Sequence, residues 1–172
     1  MEVTATQFLG SWEDRLENLF NSGIAWRGKR VLDAGCNMGI VGYEVTKLTK
    51  ASYHGVDILT KHLDVARSIF KGVTTPSLID KLDLGDKEAR LTTLGSYDVV
   101  LYLAVHHHIV KNQGDPVADS VARELFKRAG SFLVYRGPEL DYMKLVADFM
   151  DFDVLVEHPP TKLHPLCSFI RR

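Results

Sequence analysis

Two acids, two glycines and an asparagine in the first third of the chain have the types and spacing of a nucleotide-binding turn. The stretch Lys29-Arg-Val-Leu-Asp-Ala-Gly-Cys-Asn-Met-Gly39 sets Asp33, Gly35, Asn37 and Gly39 after the apolar pair Val31 and Leu32, and Ile40 to Leu48 continues with helical periodicity. A strand that runs into a glycine-bearing turn and then a helix builds an anion cradle, because unpaired N–H groups and the positive end of the helix dipole face the loop. The next segment, Ser52-Tyr-His-Gly-Val-Asp-Ile58, reads as a second strand ending on Asp57. An adjacent parallel strand presents an acceptor to ribose hydroxyls at that place. A second group of candidates is the run His106, His107 and His108, which follows the apolar stretch Tyr97 to Val105. Imidazoles titrate near neutrality and suit proton transfer, or they cap a loop. Successive residues point in different directions, so no metal is expected there.

Glycine spacing bears on the cofactor. Dinucleotide sites use G-x-G-x-x-G so that the second glycine admits a pyrophosphate. Here Gly35, Gly39 and Gly42 give G-x-x-x-G-x-x-G, with Asn37 where the second glycine would stand. A side chain at that point crowds a pyrophosphate and tolerates a smaller, mostly zwitterionic group. The pattern D-x-G-C-N-x-G resembles motif I of the class I S-adenosylmethionine (SAM) dependent methyltransferases. The run Tyr97-Asp-Val-Val-Leu-Tyr-Leu-Ala-Val105 resembles motif IV of the same superfamily, and Val105-His-His-His-Ile109 resembles the V-x-H-H-hydrophobic segment that follows it.

The resemblance covers roughly residues 28–172 and implies a set of roles. Asp33, Gly35, Asn37 and Gly39 would hold the methionine end of SAM, and Asp57 would accept from the ribose. Ile58 would pack on the adenine, with Asp83 accepting from its amino group and the Leu84 backbone beside it. A three-residue shift would put Asp86 in place of Asp83. Leu103, ending the fourth strand, would line the cofactor site. His108 would orient the acceptor or take its proton, with His107 beside it. Some subclasses are argued down by comparison with their motifs. No Asp/Asn-Pro-Pro-Tyr/Phe tetrapeptide follows the fourth strand, no cysteine lies near it, and Asn112 is isolated from the acids a magnesium site would need.

These side chains need a scaffold, and the rest of the sequence supplies one. Helical stripes occur over Leu59 to Lys71, Pro116 to Ala129 and Leu140 to Phe149; strand-like runs occur over Leu78 to Asp86, Tyr97 to Val105 and Ser131 to Tyr135. The fold that the resemblance implies is a Rossmann-like α/β three-layer sandwich with a mostly parallel seven-stranded sheet and helices on both faces. Its last strands, Val154 to Glu157 and Leu166 to Arg171, should run antiparallel, since a parallel pair needs a dozen or more linking residues. Before Gly28, Thr6 to Phe20 reads as an amphipathic helix with Phe8, Leu9, Trp12, Leu16, Leu19 and Phe20 on one face. Residues 1–27 are expected as an N-terminal amphipathic helix on a domain of residues 28–172, packed on the sheet or a dimer partner, or, as the resemblance implies, a lid over the cofactor or substrate cleft.

Composition sets limits. The chain has 172 residues, 45% hydrophobic residues and a net charge of −1, which fits one domain with an ordinary core and predicts no bulk attraction to nucleic acid or membrane. Arg171, Arg172 and Lys162 are a small basic candidate, better read as a solvated tail, and Lys111, Arg123, Lys127, Arg128 and Arg136 are scattered as on solvated helix faces. The two cysteines, Cys36 and Cys167, form no disulfide framework or metal pattern, and with no basic-then-apolar leader a reducing cytoplasm is expected. The resemblance implies methyl transfer to an O or N atom of a small molecule. An RNA acceptor, or a catalytically silent SAM-binding module acting through a partner, stays open.

Overall fold

The computed structural model describes residues 15–86, 91, 94–160 and 164–172. The expected helix face at Phe8, Leu9 and Trp12 and the basic candidate Lys162 lie outside these residues. The first strand β1 (Arg30–Ala34) leads into helix α1 (Ile40–Thr49), β2 (Ser52–Asp57), α2 (Thr60–Ile69) and β3 (Ser77–Lys81). Then follow β4 (Tyr97–Leu103), α3 (His106–Gln113), α4 (Asp115–Arg128), β5 (Ala129–Arg136), α5 (Leu140–Phe149), β6 (Phe152–His158) and β7 (Leu166–Arg171).

The seven strands lie in the order β3-β2-β1-β4-β5-β7-β6. Strands β1 to β5 pair in parallel, while β7 runs antiparallel to both β5 and β6, as the short final connection predicts. The chain starts β1 in the middle and winds outward in both directions, so the β1/β4 boundary is a topological switch point. Loops leaving the carboxyl ends of these two strands diverge there and open a crevice.

Parallel strands covered on both faces split their side chains with a period of two. Val31, Val99, Leu101 and Val134 point to a layer that contains Val45 of α1 and Leu63 and Ala66 of α2. Their neighbours Leu32, Val100, Tyr102, Leu133 and Tyr135 point to the opposite layer, with Ala122, Leu125 and Phe126 of α4 and Met143 and Val146 of α5. A short helical stretch over residues 15–20 brings Leu19 into the first layer with Ile24 and Trp26. It is tied to the sheet where the Ser168 hydroxyl donates to the Ser22 carbonyl at 2.7 Å and the Arg136 guanidinium to the Arg15 carbonyl at 3.2 Å.

Several charged groups depart from the sequence expectation. Arg136 lies in a buried strand at 3% exposure and not on a solvated helix face. Arg171 donates to the Ala129 and Phe126 carbonyls and covers the Phe152 ring, and Arg172 pairs with Asp148 and Asp153. The chain end is thus pinned to β5 and β6.

Candidate active site

The turn after β1 takes its shape from three left-handed residues. Gly35 has φ 84°, Asn37 φ 52° and Gly39 φ 73°. Glycine enters this region freely and asparagine is among the few other residues that do so readily. At Gly35 a side chain is also excluded sterically, because a Cβ would collide with the Val105 side chain. The loop after β4 therefore packs directly on the loop after β1. The Gly35 and Cys36 amides both donate to the Val56 carbonyl at 2.9 Å, which stitches the turn to the end of β2. No side chain caps α1, so the loop faces a helix end whose first N–H groups have no side-chain acceptor.

Asp57 closes the far side. One carboxylate oxygen accepts the Asn37 amide at 2.9 Å and the other accepts the Leu59 amide at 2.9 Å. Each oxygen keeps a further lone pair, so the group can hold the loop and still accept from a diol. Ile58 next to it is 49% exposed. The amide of Leu82 donates to the Asp57 carbonyl at 3.0 Å, which brings the end of β3 beside this acceptor. Asp83 there is half-buried and accepts the Gly85 amide through Oδ1 at 3.0 Å, while Asp86 is exposed. The structure thus joins the turn Gly35 to Gly39 to Asp57, with Asp33 and Ile58 adjacent in the chain, while Asp83 and Leu84 follow the end of β3 and Leu84 is buried in the opposite core layer. Leu103 ends β4 across the switch point and packs on the first core layer.

Asp33 carries a feature absent from the sequence reading. It is 3% exposed, and its Oδ2 accepts the Tyr53 hydroxyl at 2.8 Å. Burial raises its carboxyl to about 7, against the lowering effect of the Tyr53 bond, and the nearby Asp57 adds to the rise. The Tyr53 ring fits because two glycines leave room for it. A Cβ on Gly42 would collide with the ring, and one on Gly55 would lie 2.7 Å from its hydroxyl. The ring stacks on Phe70 at 4.9 Å. Gly42 therefore serves the Tyr53 ring from within α1. A buried acid at a strand end calls for a donor on the neighbouring strand, and Tyr53 lies in the same core layer, but the parallel register had to be known to pick it. Cys36 is buried and its thiol is pushed far above the usual range by burial first and then by Asp33 and Asp57, which removes it as a nucleophile.

The three histidines do not form a loop. They are the first turn of α3, which turns His106 into the core and leaves His107 and His108 ring to ring outside it. His106 is 3% exposed and faces the α4/α5 layer, where the Tyr102 hydroxyl meets its Nδ1 at 3.2 Å. His107 is half-buried, its Nδ1 is buried without a hydrogen-bond partner among the described residues, and its ring lies 5.8 Å from that of His164. Its pKa is lowered, by burial first and then by the neighbouring His108. His108 is exposed, with its ring 4.1 Å from that of His107. No group of three or more metal-ligating side chains occurs among the described residues.

A mostly parallel sheet in the order 3-2-1-4-5-7-6 with an antiparallel β7 is a Rossmann-like α/β fold, which solved methyltransferase structures share. The likeness extends over the whole chain in the crystal structure of magnesium protoporphyrin IX methyltransferase from Synechocystis PCC 6803 with bound SAM. The TM-score is 0.74, with all of this chain and 86% of that one covered at 16% sequence identity, a likeness that carries the fold alone. By sequence, the chain is similar to the ubiquinone biosynthesis O-methyltransferase of Aromatoleum aromaticum (strain DSM 19018 / LMG 30748 / EbN1), 26% identical over 161 residues, which span 93% of this chain and 62% of that protein. It is also similar to the protein of the same name from Nitrosococcus oceani (strain ATCC 19707 / BCRC 17464 / JCM 30415 / NCIMB 11848 / C-107), 34% identical over 97 residues, 55% of this chain and 39% of that protein. The chain thus spans under two thirds of the length of these relatives. No protein-family model matches it.

Proposed function

We propose that this chain binds SAM and transfers its methyl group to an oxygen or nitrogen of a small molecule. The observation that carries the reading is Asp57, a strand-end carboxylate with lone pairs to spare, fixed against a left-handed glycine-asparagine turn at the switch point of the sheet. The residues present fit the cofactor. Asp57 accepts from the ribose hydroxyls, exposed Ile58 covers the adenine, and Asp83 with the Leu84 backbone meets its amino edge. The turn from Gly35 to Gly39 takes the methionine end, and the buried carboxylate of Asp33 balances a positive charge there. Leu103 lines the same crevice from β4. The names of the sequence relatives and the bound SAM of the structural neighbour support this assignment.

Bound SAM supplies an activated methyl group on a sulfonium. What the protein must add is alignment, and removal of a proton where the acceptor holds one. His107 and His108 lie in the first turn of α3, two and three residues after Val105, which packs on Gly35, and that position supports a role for them beside the crevice. His107 suits a proton-handling role better, since burial holds its ring and keeps it neutral at neutral pH. A small acceptor fits the charge distribution better than RNA. Arg123, Lys127, Arg128, Arg171 and Arg172 are engaged by Asp119, Glu124, backbone carbonyls, Asp148 and Asp153, and offer no open basic track. No helix among the described residues is long and apolar enough to cross a membrane.

The test is calorimetric titration with SAM, followed by labelled methyl transfer into separate metabolite and RNA extracts. SAM binding with label in the metabolite extract is expected. Label confined to RNA would reassign the acceptor, and binding with no product in either would leave a silent SAM-binding module.

A further inference from the structure

The chain passes from β4 into α3 through a residue held against its own preference. Ala104 has φ 60°, in the left-handed region that an alanine enters only at a cost. Such a conformation persists where the surroundings over-determine it. Three contacts do so here. The Ala104 amide donates to the Arg136 carbonyl at 2.7 Å. The Val105 side chain occupies the space that a Cβ on Gly35 would take. His106 is buried in the core layer of α4 and α5.

Three tyrosines from three elements enclose the His106 ring. Tyr102 of β4 meets it edge-on at 5.8 Å and 88°, Tyr135 of β5 edge-on at 6.4 Å and 79°, and Tyr142 of α5 stacks on it at 5.7 Å and 29°. The hydroxyl of the fully buried Tyr102 meets His106 Nδ1 at 3.2 Å and has no other hydrogen-bond partner among the described residues. Separating the two would leave a polar atom unpaired in the core, so the bond fixes where the imidazole sits. Two of the tyrosines are fixed in turn. Tyr135 donates to Glu139 at 2.9 Å, and Tyr142 donates to Asp119, which Arg123 holds at 2.9 Å.

We propose that His106 is a positioning residue: its place among Tyr102, Tyr135 and Tyr142 locks the strained junction between β4 and α3, and so holds His107, the next residue of the same turn, where it meets the acceptor. This rests on the role proposed above for His107. That residue has no comparable anchor of its own. Its Nδ1 is buried without a hydrogen-bond partner among the described residues, and its ring neighbours are the imidazoles of His108 at 4.1 Å and His164 at 5.8 Å. A displacement of about 1 Å at a reacting group costs on the order of 10²-fold in rate, so a turn that drifts would lose turnover and leave cofactor binding alone.

The experiment compares three variants of the intact chain. Tyr102→Phe removes one hydroxyl and leaves the ring, His106→Leu removes the imidazole, and His106→Asn keeps an acceptor at the place of Nδ1. Each is titrated with SAM and assayed for labelled methyl transfer into the metabolite extract, at varied extract concentration and between about pH 5 and 9. The ring proton signals of His107 read its pKa with no substrate present. The groups that face this ring are His106 and His108 of its own helix, His164 of the link before β7 and Glu139 before α5, and Tyr102→Phe alters none of them. In Tyr102→Phe, SAM affinity and the half-saturating extract concentration should stay unchanged, while the maximal rate falls roughly tenfold or more. The His107 pKa, lowered from 6.5 in the parent chiefly by burial, should move back up toward that value and carry the rising limb of the rate profile with it. His106→Leu should lose more, and His106→Asn should recover part of that loss. An unchanged His107 pKa and maximal rate in Tyr102→Phe would overturn the proposal, as would a loss confined to stability or to the half-saturating concentration. Should His106→Leu fail to fold, Tyr102→Phe decides alone. Absence of methyl transfer by the parent chain would remove the role of His107, whereas the His107 signals in Tyr102→Phe would still show whether His106 holds the turn.

Discussion

At the scale of single residues, Asp57 has two tasks that a substitution can separate. Asp57→Ala removes the ribose acceptor and releases the Asn37 and Leu59 amides together. SAM affinity should fall by roughly one to two orders of magnitude, with a loss of about 1–3 kcal/mol in stability from the unmade bonds. Asp57→Asn retains one acceptor and should lose less of both. Titration calorimetry with chemical denaturation checks the pair, and an unchanged dissociation constant in the alanine variant would remove Asp57 from the site. The histidines separate in the same way. His107→Ala should leave SAM affinity nearly intact and lower turnover by about 10²–10⁴-fold for an acceptor that carries a proton, while exposed His108 should contribute much less. Because the His107 pKa is lowered from 6.5, parent turnover should rise with pH through an ionisation below that value and then level off. A flat profile, or full activity in the variant, would return this residue to a structural part. The sequence reading placed the weight on His108. Only the turn of α3 shows which imidazole is half-buried and which is exposed.

Elements decide what a motif residue is for, and Gly42 illustrates how. In an ordinary helix interior, alanine in place of glycine gains about 0.8–1 kcal/mol. In α1 the added Cβ would collide with the Tyr53 ring, which is itself packed on Phe70 and bonded to Asp33. Gly42→Ala should therefore destabilise the domain by about 1–3 kcal/mol in spite of its propensity gain. The same change in a Tyr53→Leu background should be close to neutral, and a double-mutant cycle measures the coupling. Additive effects would show that the ring and the glycine are independent. The spacing of Gly35, Gly39 and Gly42 was legible in the sequence, but it mixed two turn residues with one packing residue. The element order apart from α3, and the antiparallel final strand, were legible too, because apolar run lengths and the short link after β6 constrain them, whereas the polar run His106–Gln113 gave no helical signal. The partner of Asp33 was not, because Tyr53 lies on a neighbouring strand and meets it through a register that one-dimensional periodicity does not specify.

For the whole molecule, the buried Asp33 links stability, ligand and pH. Its folded pKa of about 7 stands above the ordinary 3.8, so folding favours the protonated acid. The contribution to stability is fully present below pH 3.8, is lost as pH rises toward the folded value of about 7, and stays lost above it. His106 and His107, held below 6.5 mainly by burial, act in the opposite sense, since their contribution falls as pH drops beneath that value. The parent curve mixes these effects, but the difference from Asp33→Asn isolates the acid. The amide can still accept the Tyr53 hydroxyl without ever carrying charge. The variant should gain little near pH 4 and progressively more toward pH 8, with a ceiling on the order of 4 kcal/mol. A cation beside Asp33 favours the ionised form, so SAM should bind more tightly as pH rises to about 7 and should displace a proton on binding. Calorimetry in buffers of different ionisation enthalpy reads that proton directly. In Asp33→Asn the released proton should vanish and SAM affinity should fall, while the unliganded fold becomes more stable. A variant that is less stable at pH 8, or a parent protein that releases no proton between about pH 6 and 7, would show that this carboxyl is not held protonated for the ligand to ionise.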